Sequence, residues 1–220
     1  MESARQGIEG AWQAAPGVGL AEMVCLFSED LAHHPALADE AHGRRLQHYQ
    51  VAEAVLTAAF LELANRGIVF MVQEHDNQLY RVWMHRLARD HREDKSLSCL
   101  LSTRITKRRL LSGLAIETLL HYYHDPWDHF LKHLVQAQLA DAGYYEPTRP
   151  SEHPAEEPHI RWLLAEERVA ALRPHVARAE SELTALQARI DGGAPPGRGV
   201  TSEVRRTISA SFAEVQRTPE

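Results

Sequence analysis

Residues 48–83, HYQVAEAVLTAAFLELANRGIVFMVQEHDNQLYRVW, contain a helix, a stop signal and a hairpin in direct succession. Apolar side chains at residues 51–63 recur at helical spacing and cover most of the helix circumference, which predicts a largely buried helix. Asn65, Arg66 and Gly67 predict the end of this helix. Glycine adopts the left-handed conformation of a C-terminal cap, and the charge of Arg66 is favourable at the negative end of the helix dipole.

The residues after this helix predict an antiparallel hairpin. Residues 68–74 are rich in β-branched and aromatic side chains, residues 75–78 are turn-forming, and residues 79–83 return as a second strand. A helix, a tight stop and a hairpin form the second half of a winged helix.

The polar side chains of this helix do not favour binding to DNA bases. A recognition helix offers Arg, Lys, Asn or Gln to base edges, with cations nearby for the phosphates. This helix carries the acidic Glu53 and Glu62, and its suitable donors, Asn65 and Arg66, stand only at its end. Such an apolar helix is expected in the protein core.

The composition indicates a protein with few specialised features. The chain has 220 residues and a net charge of −6, which argues against a general nucleic-acid coat. Its two cysteines, Cys25 and Cys99, stand in apolar helical patterns and are expected to be buried thiols. No apolar run is long enough to cross a bilayer, and the first residues lack a secretory signal. A cytoplasmic location is therefore expected, with peripheral attachment to a membrane as the alternative.

The rest of the chain predicts further helices around this stretch. A first core helix is predicted from the apolar face of residues 20–31, and it should end before Pro35. A longer helix is predicted to begin at Ser102 or Thr103 and to carry Leu110 and Leu111.

A second helix–stop–strand order closes this part of the chain. Another helix is predicted from Asp125-Pro126 to Gly143, and the two tyrosines after it are expected to begin a strand. Because FLELANRGIVF and LVQAQLADAGYYE have similar orders, two related units are favoured over one continuous bundle.

The C-terminal third is predicted to be helical, after a proline-rich segment. Pro174 should break or kink this helical region. Beyond it, a coiled-coil seam is predicted, and packing of that seam on the core is favoured over a dimer because it has few heptads. Its apolar residues are Val176, Ala179, Leu183, Leu186 and Ile190.

The predicted fold is mainly α, with tandem winged-helix-like units, a β-hairpin wing and a C-terminal helical extension. The predicted segments are a flexible arm (1–17), a first winged-helix-like unit (18–84), a second helical or winged-helix-like unit (85–146), a proline-rich linker (147–158), C-terminal helices (159–191), a glycine-rich linker (192–200) and an amphipathic tail (201–220). The tail is expected to dock on the core or on a partner.

Two polar clusters are candidate sites. A basic cluster is predicted to bind an anion such as phosphate, acidic lipid or an acidic partner, although cations at a helix start oppose the helix dipole. Its residues are Arg104, Lys107, Arg108 and Arg109, with Lys132 as a further contact.

A histidine cluster has the spacing of a metal site, because side chains four apart share a helix face. Its residues are His121, His124, Asp125, His129 and His133, in a chain with 14 histidines, where such a pair is expected by chance.

Residues 60–69, FLELANRGIV, resemble the signature helix of the Golgi phosphoprotein 3-like family, in which L-x-E-L-A-x-R-G precedes an apolar strand. The resemblance covers about residues 20–145. It implies a mostly helical fold with winged-helix-like units and no catalytic activity. Eukaryotic members recognise a phosphoinositide head group and the cytosolic tails of membrane enzymes.

The head-group residues of that family match this chain only in part. The family's tryptophan and first arginine fall on Gln47 and Leu56, whereas two further basic positions fall on His129 and Lys132. The proline-rich segment replaces the membrane-inserting hairpin of the family. A second resemblance, in architecture alone, is to the tandem winged-helix subunits that bind the kleisin of chromosome-organising ATPase complexes.

These observations favour a non-catalytic cytoplasmic adaptor or assembly protein that acts through protein–protein contacts and needs no cofactor. Protein partners are expected, among them a second copy of the chain, while acidic lipid and nucleic acid are less favoured. One alternative is a DNA-associated regulator, or a subunit of a chromosome-organising complex, that uses the basic cluster. Another is a metal-dependent enzyme centred on residues 121–133.

Overall fold

The protein is mainly helical. A computed structural model describes residues 12–38, 48–65, 69–76, 79–86, 97–98, 101, 109–111, 134–147, 162–192 and 199–215. The helices are α1 (Leu20–Leu26), α2 (Ser28–Leu31), α3 (His48–Asn65), α4 (Ala137–Asp141), α5 (Glu166–Leu172), α6 (Val176–Asp191) and α7 (Val200–Val215), with a 3-10 turn at Arg173–His175. The strands are β1 (Val69–Asp76), β2 (Leu79–Arg86), β3 (Arg109–Leu111), β4 (Tyr145–Pro147) and β5 (Trp162–Leu164).

Helix α3 is the centre of the core. Each side chain from Ala54 to Leu63 is at most 5% exposed, and α1, α6 and α7 all contact this helix. A helix that is apolar around its circumference is stable only when neighbours cover every face. The prediction of a largely buried helix in residues 51–63 is therefore confirmed.

The predicted first core helix is divided into α1 and α2. Phe27, with φ −122° and ψ 45°, leaves the helical conformation between them. Phe27 and Leu31 are nevertheless buried together with Leu20, Met23 and Val24. The predicted apolar face is thus confirmed, although the backbone is interrupted within it.

The predicted hairpin is confirmed as the antiparallel pair of β1 and β2. Asp76 pairs with Leu79 at one end of the hairpin, and Val69 pairs with Arg86 at the other end. The return strand is three residues longer than predicted. Strand β3 then pairs antiparallel with β2 and completes a three-stranded sheet in the order β1-β2-β3.

The prediction that Leu110 and Leu111 belong to a helix is wrong. They lie in β3, where Leu110 pairs with Met84 and Leu111 pairs with Trp83. Leucine favours helices when local preference decides, but an unpaired strand edge offers backbone hydrogen bonds that override this preference. The hydrophobic pattern of residues 110–120 did not reveal that β2 would present such an edge.

The end of α4 has the predicted glycine stop. Gly143 has a φ of 83°, a conformation that favours glycine, and the N–H of Tyr144 donates to the carbonyl of Leu139 at 2.8 Å. The predicted strand follows as β4, which pairs antiparallel with β5. Residues 145 and 164, on either side of the proline-rich segment, are therefore neighbours.

The C-terminal helices pack on the core. Pro174 lies in the 3-10 turn that separates α5 from α6, as predicted for a helix-breaking residue. Ala179, Leu183 and Leu186 of α6 are buried, which confirms that the seam packs within the chain. Helix α7 lies against α3 and α6. Among the described helices, none combines the length and the apolar character needed to cross a membrane.

Candidate functional site

The sequence-predicted basic cluster lies mostly outside the described residues. Arg109 begins β3, where its backbone pairs with His85 of β2 rather than with a helical turn. The other predicted anion contacts, Arg104, Lys107, Arg108 and Lys132, are not among the described residues. Anion binding by this cluster stays a prediction.

The predicted metal cluster lies entirely outside the described residues, and it also stays a prediction. Its members are His121, His124, Asp125, His129 and His133. Over the ranges that the structure describes, no three His, Cys, Asp or Glu side chains are close enough to hold a metal ion.

A buried pair of carboxylates holds the start of α1. Glu22 is fully buried and accepts hydrogen bonds from the backbone N–H of Gly19 (3.0 Å) and of Leu97 (2.6 Å). The side chain of Glu62 accepts from the N–H of Leu20 at 2.8 Å. These carboxylates satisfy helix-start donors that lack intrahelical partners. Burial raises the pKa of Glu22, and its hydrogen bonds oppose that shift.

Cys25 is not set up as a nucleophile. Burial, reinforced by the charge of Glu22, raises the pKa of its thiol to about 12, and Tyr145 forms a hydrogen bond with it. Since the thiolate is the reactive form, a thiol with this pKa is inert near neutral pH. The prediction of a thiol rather than a disulfide is confirmed for Cys25, whereas Cys99 lies outside the described residues.

Strand β5 presents two adjacent leucines to solvent. Leu163 is 59% exposed and Leu164 is 40% exposed. Successive strand residues point to opposite faces, so the two leucines make both faces of the β4–β5 ribbon apolar. We refer to Leu163, Leu164 and the carboxylates around them as the ribbon surface.

The rim of the ribbon surface is acidic. Glu146 is exposed on β4 directly opposite Leu163, and Glu166 and Glu167 are exposed in the first turn of α5. Arg161 is the cation nearest to these leucines in sequence, and it lies outside the described residues. The nearest described cation, Arg168, donates from Nη1 to the carbonyl of Ala142 at 3.2 Å. That guanidinium is therefore directed toward the turn after α4.

The base of the ribbon is held by the core. The N–H of Ala165 donates to the carbonyl of Tyr144 at 3.0 Å, and the side chain of Tyr144 is buried. Val169, one turn into α5, is also buried. The leucines therefore project from a fixed position.

Sequence reasoning did not identify the ribbon surface. Trp162, Leu163 and Leu164 belong to residues 159–191, whose composition predicts helix, but they form β5 instead, just before the helix start at Glu166 and Glu167. A local signal was nevertheless present, since adjacent leucines cannot both face the core from the short strand that precedes this helix start.

Comparisons of the chain with protein-family models, curated proteins and solved structures found no match. The resemblance to the Golgi phosphoprotein 3-like family stays a prediction from residues 60–69.

Proposed function

We propose that the protein is a non-catalytic cytoplasmic adaptor that binds a basic, leucine-rich segment of a partner protein through the ribbon surface. The observation that carries this proposal is the exposure of Leu163 and Leu164, one on each face of β5. A large exposed apolar side chain with a polar rim on each face of a ribbon is a contact that a partner protein can bury. In the described chain, the other large hydrophobic residue with comparable exposure is Tyr49, at 38%.

The acidic residues near the leucines favour a partner segment with basic side chains. Glu146 is exposed opposite Leu163, and Glu166 and Glu167 are exposed in the helix turn that directly follows β5. Opposite charges across an interface accelerate association and exclude wrong partners. The net charge of −6 acts in the same direction over a longer range.

The packing of the C-terminal helices also supports a contact through the ribbon. The apolar stripes of α6 and α7 are covered by the core, including Leu183, Leu186, Val204 and Ile208. These buried residues are unavailable to a partner unless the helices detach. The burial of α3 favours a core role for this helix over contact with DNA bases, whereas the DNA-regulator alternative uses the basic cluster and stays a prediction.

We extend this proposal to the architecture. The order of α3 and the β1–β2 hairpin supports a winged-helix-like unit that serves as a scaffold, with the ribbon at a distance along the chain. In this proposal the winged-helix-like unit supports the partner-binding ribbon and does not bind DNA bases.

A pair of synthetic peptides tests the function. One peptide alternates lysine with leucine, and the other has glutamate in place of each lysine. We expect the full-length chain to bind the basic peptide at least about tenfold more tightly, because only that peptide complements the acidic rim. L163S/L164S should weaken this binding by about tenfold or more, since it removes two large apolar contacts.

The control is A188S, which changes an exposed position on α6 outside the ribbon. It should bind the basic peptide as the unchanged protein does. Equal binding of both peptides, or unchanged binding by L163S/L164S with an unchanged circular dichroism spectrum, would contradict the proposal.

A further inference from the structure

The backbone of β5 directs hydrogen-bonding groups away from β4. Within the described structure the β4–β5 ribbon has two strands, so the side of β5 away from β4 is an outer edge. At the base of the ribbon, the N–H of Ala165 donates to the carbonyl of Tyr144. A trans peptide unit directs its C=O opposite to its N–H, so the C=O of Leu164 points away from β4.

Both backbone groups of Leu164 belong to this outer edge. In an antiparallel strand the N–H and the C=O of one residue point to the same side, so the N–H of Leu164 also points away from β4. Among the described residues, neither group has a backbone hydrogen-bond partner. An unpaired strand edge of this kind is a template for pairing with another extended chain.

The ribbon has an acidic face and an aromatic face. Glu146 lies directly opposite Leu163, and directly opposite residues share a face, so these two residues form the acidic face. Leu164 lies on the aromatic face, opposite Tyr145, and Trp162 is on the same face two residues earlier. A segment that contacts both leucines must therefore present side chains to two faces that differ in polarity.

An extended strand beside β5 meets this requirement. Its side chains alternate between the two faces of the ribbon, whereas a helix packed on one face would contact a single leucine. Its backbone also supplies hydrogen bonds to the edge, which is how extended peptides bind to exposed sheet edges. In a segment that alternates basic residues with leucines, all the basic side chains then lie on one face.

We propose that the partner segment binds as an antiparallel β-strand along the outer edge of β5, with its basic side chains on the acidic face and its leucines on the aromatic face. This inference rests on the proposed function of the ribbon surface and adds the conformation of the partner. Antiparallel pairing is the more stable ladder, and each strand pair of the described chain uses it. The partner residue opposite Leu164 is then a leucine, whose N–H points toward β5.

Backbone N-methylation of the lysine–leucine peptide tests this inference with the full-length chain. One peptide carries methyl groups on its leucine nitrogens, which are directed at β5, and the other carries them on its lysine backbone nitrogens, which face away. We expect the leucine-methylated peptide to bind at least about tenfold more weakly than the unmodified peptide, and the lysine-methylated peptide to bind within about threefold of it. Equal affinities of the two methylated peptides would overturn the inference.

Failure of this inference is distinguishable from failure of the proposed function. Absence of binding by the unmodified basic peptide would overturn both. If that peptide binds, if L163S/L164S weakens its binding and if the two methylated peptides bind equally, the partner-binding role of the ribbon surface is retained and strand addition alone is wrong.

Substitutions of Leu164 test the edge from the protein side. L164P removes the leucine side chain and the outward N–H, and proline is tolerated where the N–H of an edge strand faces outward. L164S removes the leucine side chain and keeps the N–H, so it is the matched control. We expect L164P to bind the basic peptide about fivefold more weakly than L164S, the effect of one hydrogen bond. Equal binding by the two variants, with unchanged circular dichroism spectra, would contradict the inference.

Discussion

At the scale of single residues, the neutral side chain of His34 forms hydrogen bonds with two parts of the chain that are distant in sequence. Its Nδ1 accepts from the N–H of Ala36 at 3.1 Å, and its Nε2 lies 3.0 Å from Oγ1 of Thr184. The Thr184 hydroxyl already donates to the carbonyl of Glu180, so Nε2–H must be the donor in the contact with His34. Burial lowers the pKa of His34, against an opposing effect of the Glu180 charge.

Protonation of His34 should therefore weaken the fold. Because its folded-state pKa lies below the ordinary value of 6.5, the unfolded chain binds the proton first as pH falls. The stability contribution of His34 is complete above pH 6.5 and is lost as pH falls from that value toward the folded-state pKa. We expect urea unfolding midpoints between pH 5 and 7 to show a shallower pH dependence in H34Q than in the unchanged protein.

The same exchange at His175, which lies outside this contact, is the matched control. H175Q should keep more of the original pH dependence than H34Q does. An identical slope for H34Q and the unchanged protein would show that His34 does not titrate between the folded and unfolded states.

Glu22 gives a second prediction at this scale. Its carboxylate also accepts from Nε2 of Gln138 at 3.3 Å, so E22A would leave two buried N–H donors and the half-buried amide of Gln138 without their acceptor. Each orphaned donor costs about 1–3 kcal/mol, and partial rearrangement reduces the total. We expect E22A to lower the free energy of unfolding by roughly 3 kcal/mol in urea titrations. E166A, at an exposed helix start, should change it by less than about 0.5 kcal/mol.

The role of Glu22 could not be predicted from neighbouring residues. Its partners Leu97 and Gln138 are 75 and 116 positions away in the chain. A glutamate on an apolar helical face has no distinctive local pattern.

At the scale of elements, the last residue of α6, Asp191, caps the start of α7. Gly192 ends α6 with a φ of 57°, and Oδ1 of Asp191 accepts from the N–H of Thr201 at 2.8 Å. A side chain added at Gly199 would overlap the carboxylate of Asp191. The glycines of the predicted linker are thus needed at its two ends for geometric reasons.

Removing this cap should destabilise α7. We expect D191A to lower the free energy of unfolding by about 1 kcal/mol, the usual cost of losing a side-chain cap. D191N keeps an oxygen acceptor and should lose less than half as much. Urea midpoints measure both changes, and equal stability of D191A and the unchanged protein would contradict the role of this contact.

The elements that were predicted correctly have local causes. The sequence from α3 to β2, the stop at Gly143 and the break at Pro174 each depend on residues within a few positions. Strand β3 depends instead on the backbone edge of β2, about 25 positions earlier in the chain. Its leucines fit a helix equally well, so periodicity could not distinguish the two structures.

At the scale of the whole molecule, one apolar core contains residues from both ends of the chain. Val24 of α1, Phe60 of α3, Leu183 of α6 and Ile208 of α7 belong to the same buried cluster. A contact between Arg189 and Asn65 also joins the end of α6 to the end of α3. The described helices therefore share their apolar contacts across the proline-rich segment.

This shared core predicts that removing residues 155–220 will unfold the remaining chain. Among the residues that the structure describes, the deletion removes six large buried aliphatic side chains, those of Val169, Leu172, Leu183, Leu186, Val204 and Ile208. Each contributes about 1.5–3 kcal/mol, so their loss approaches the whole stability of a typical domain, ~5–15 kcal/mol. Full-length protein should show one thermal transition, coincident by far-UV circular dichroism and tryptophan fluorescence. The 1–154 fragment should lack a sharp thermal transition and should bind a hydrophobic dye. A cooperative transition of the fragment at the transition temperature of the full-length protein would instead show that the core does not need the C-terminal helices.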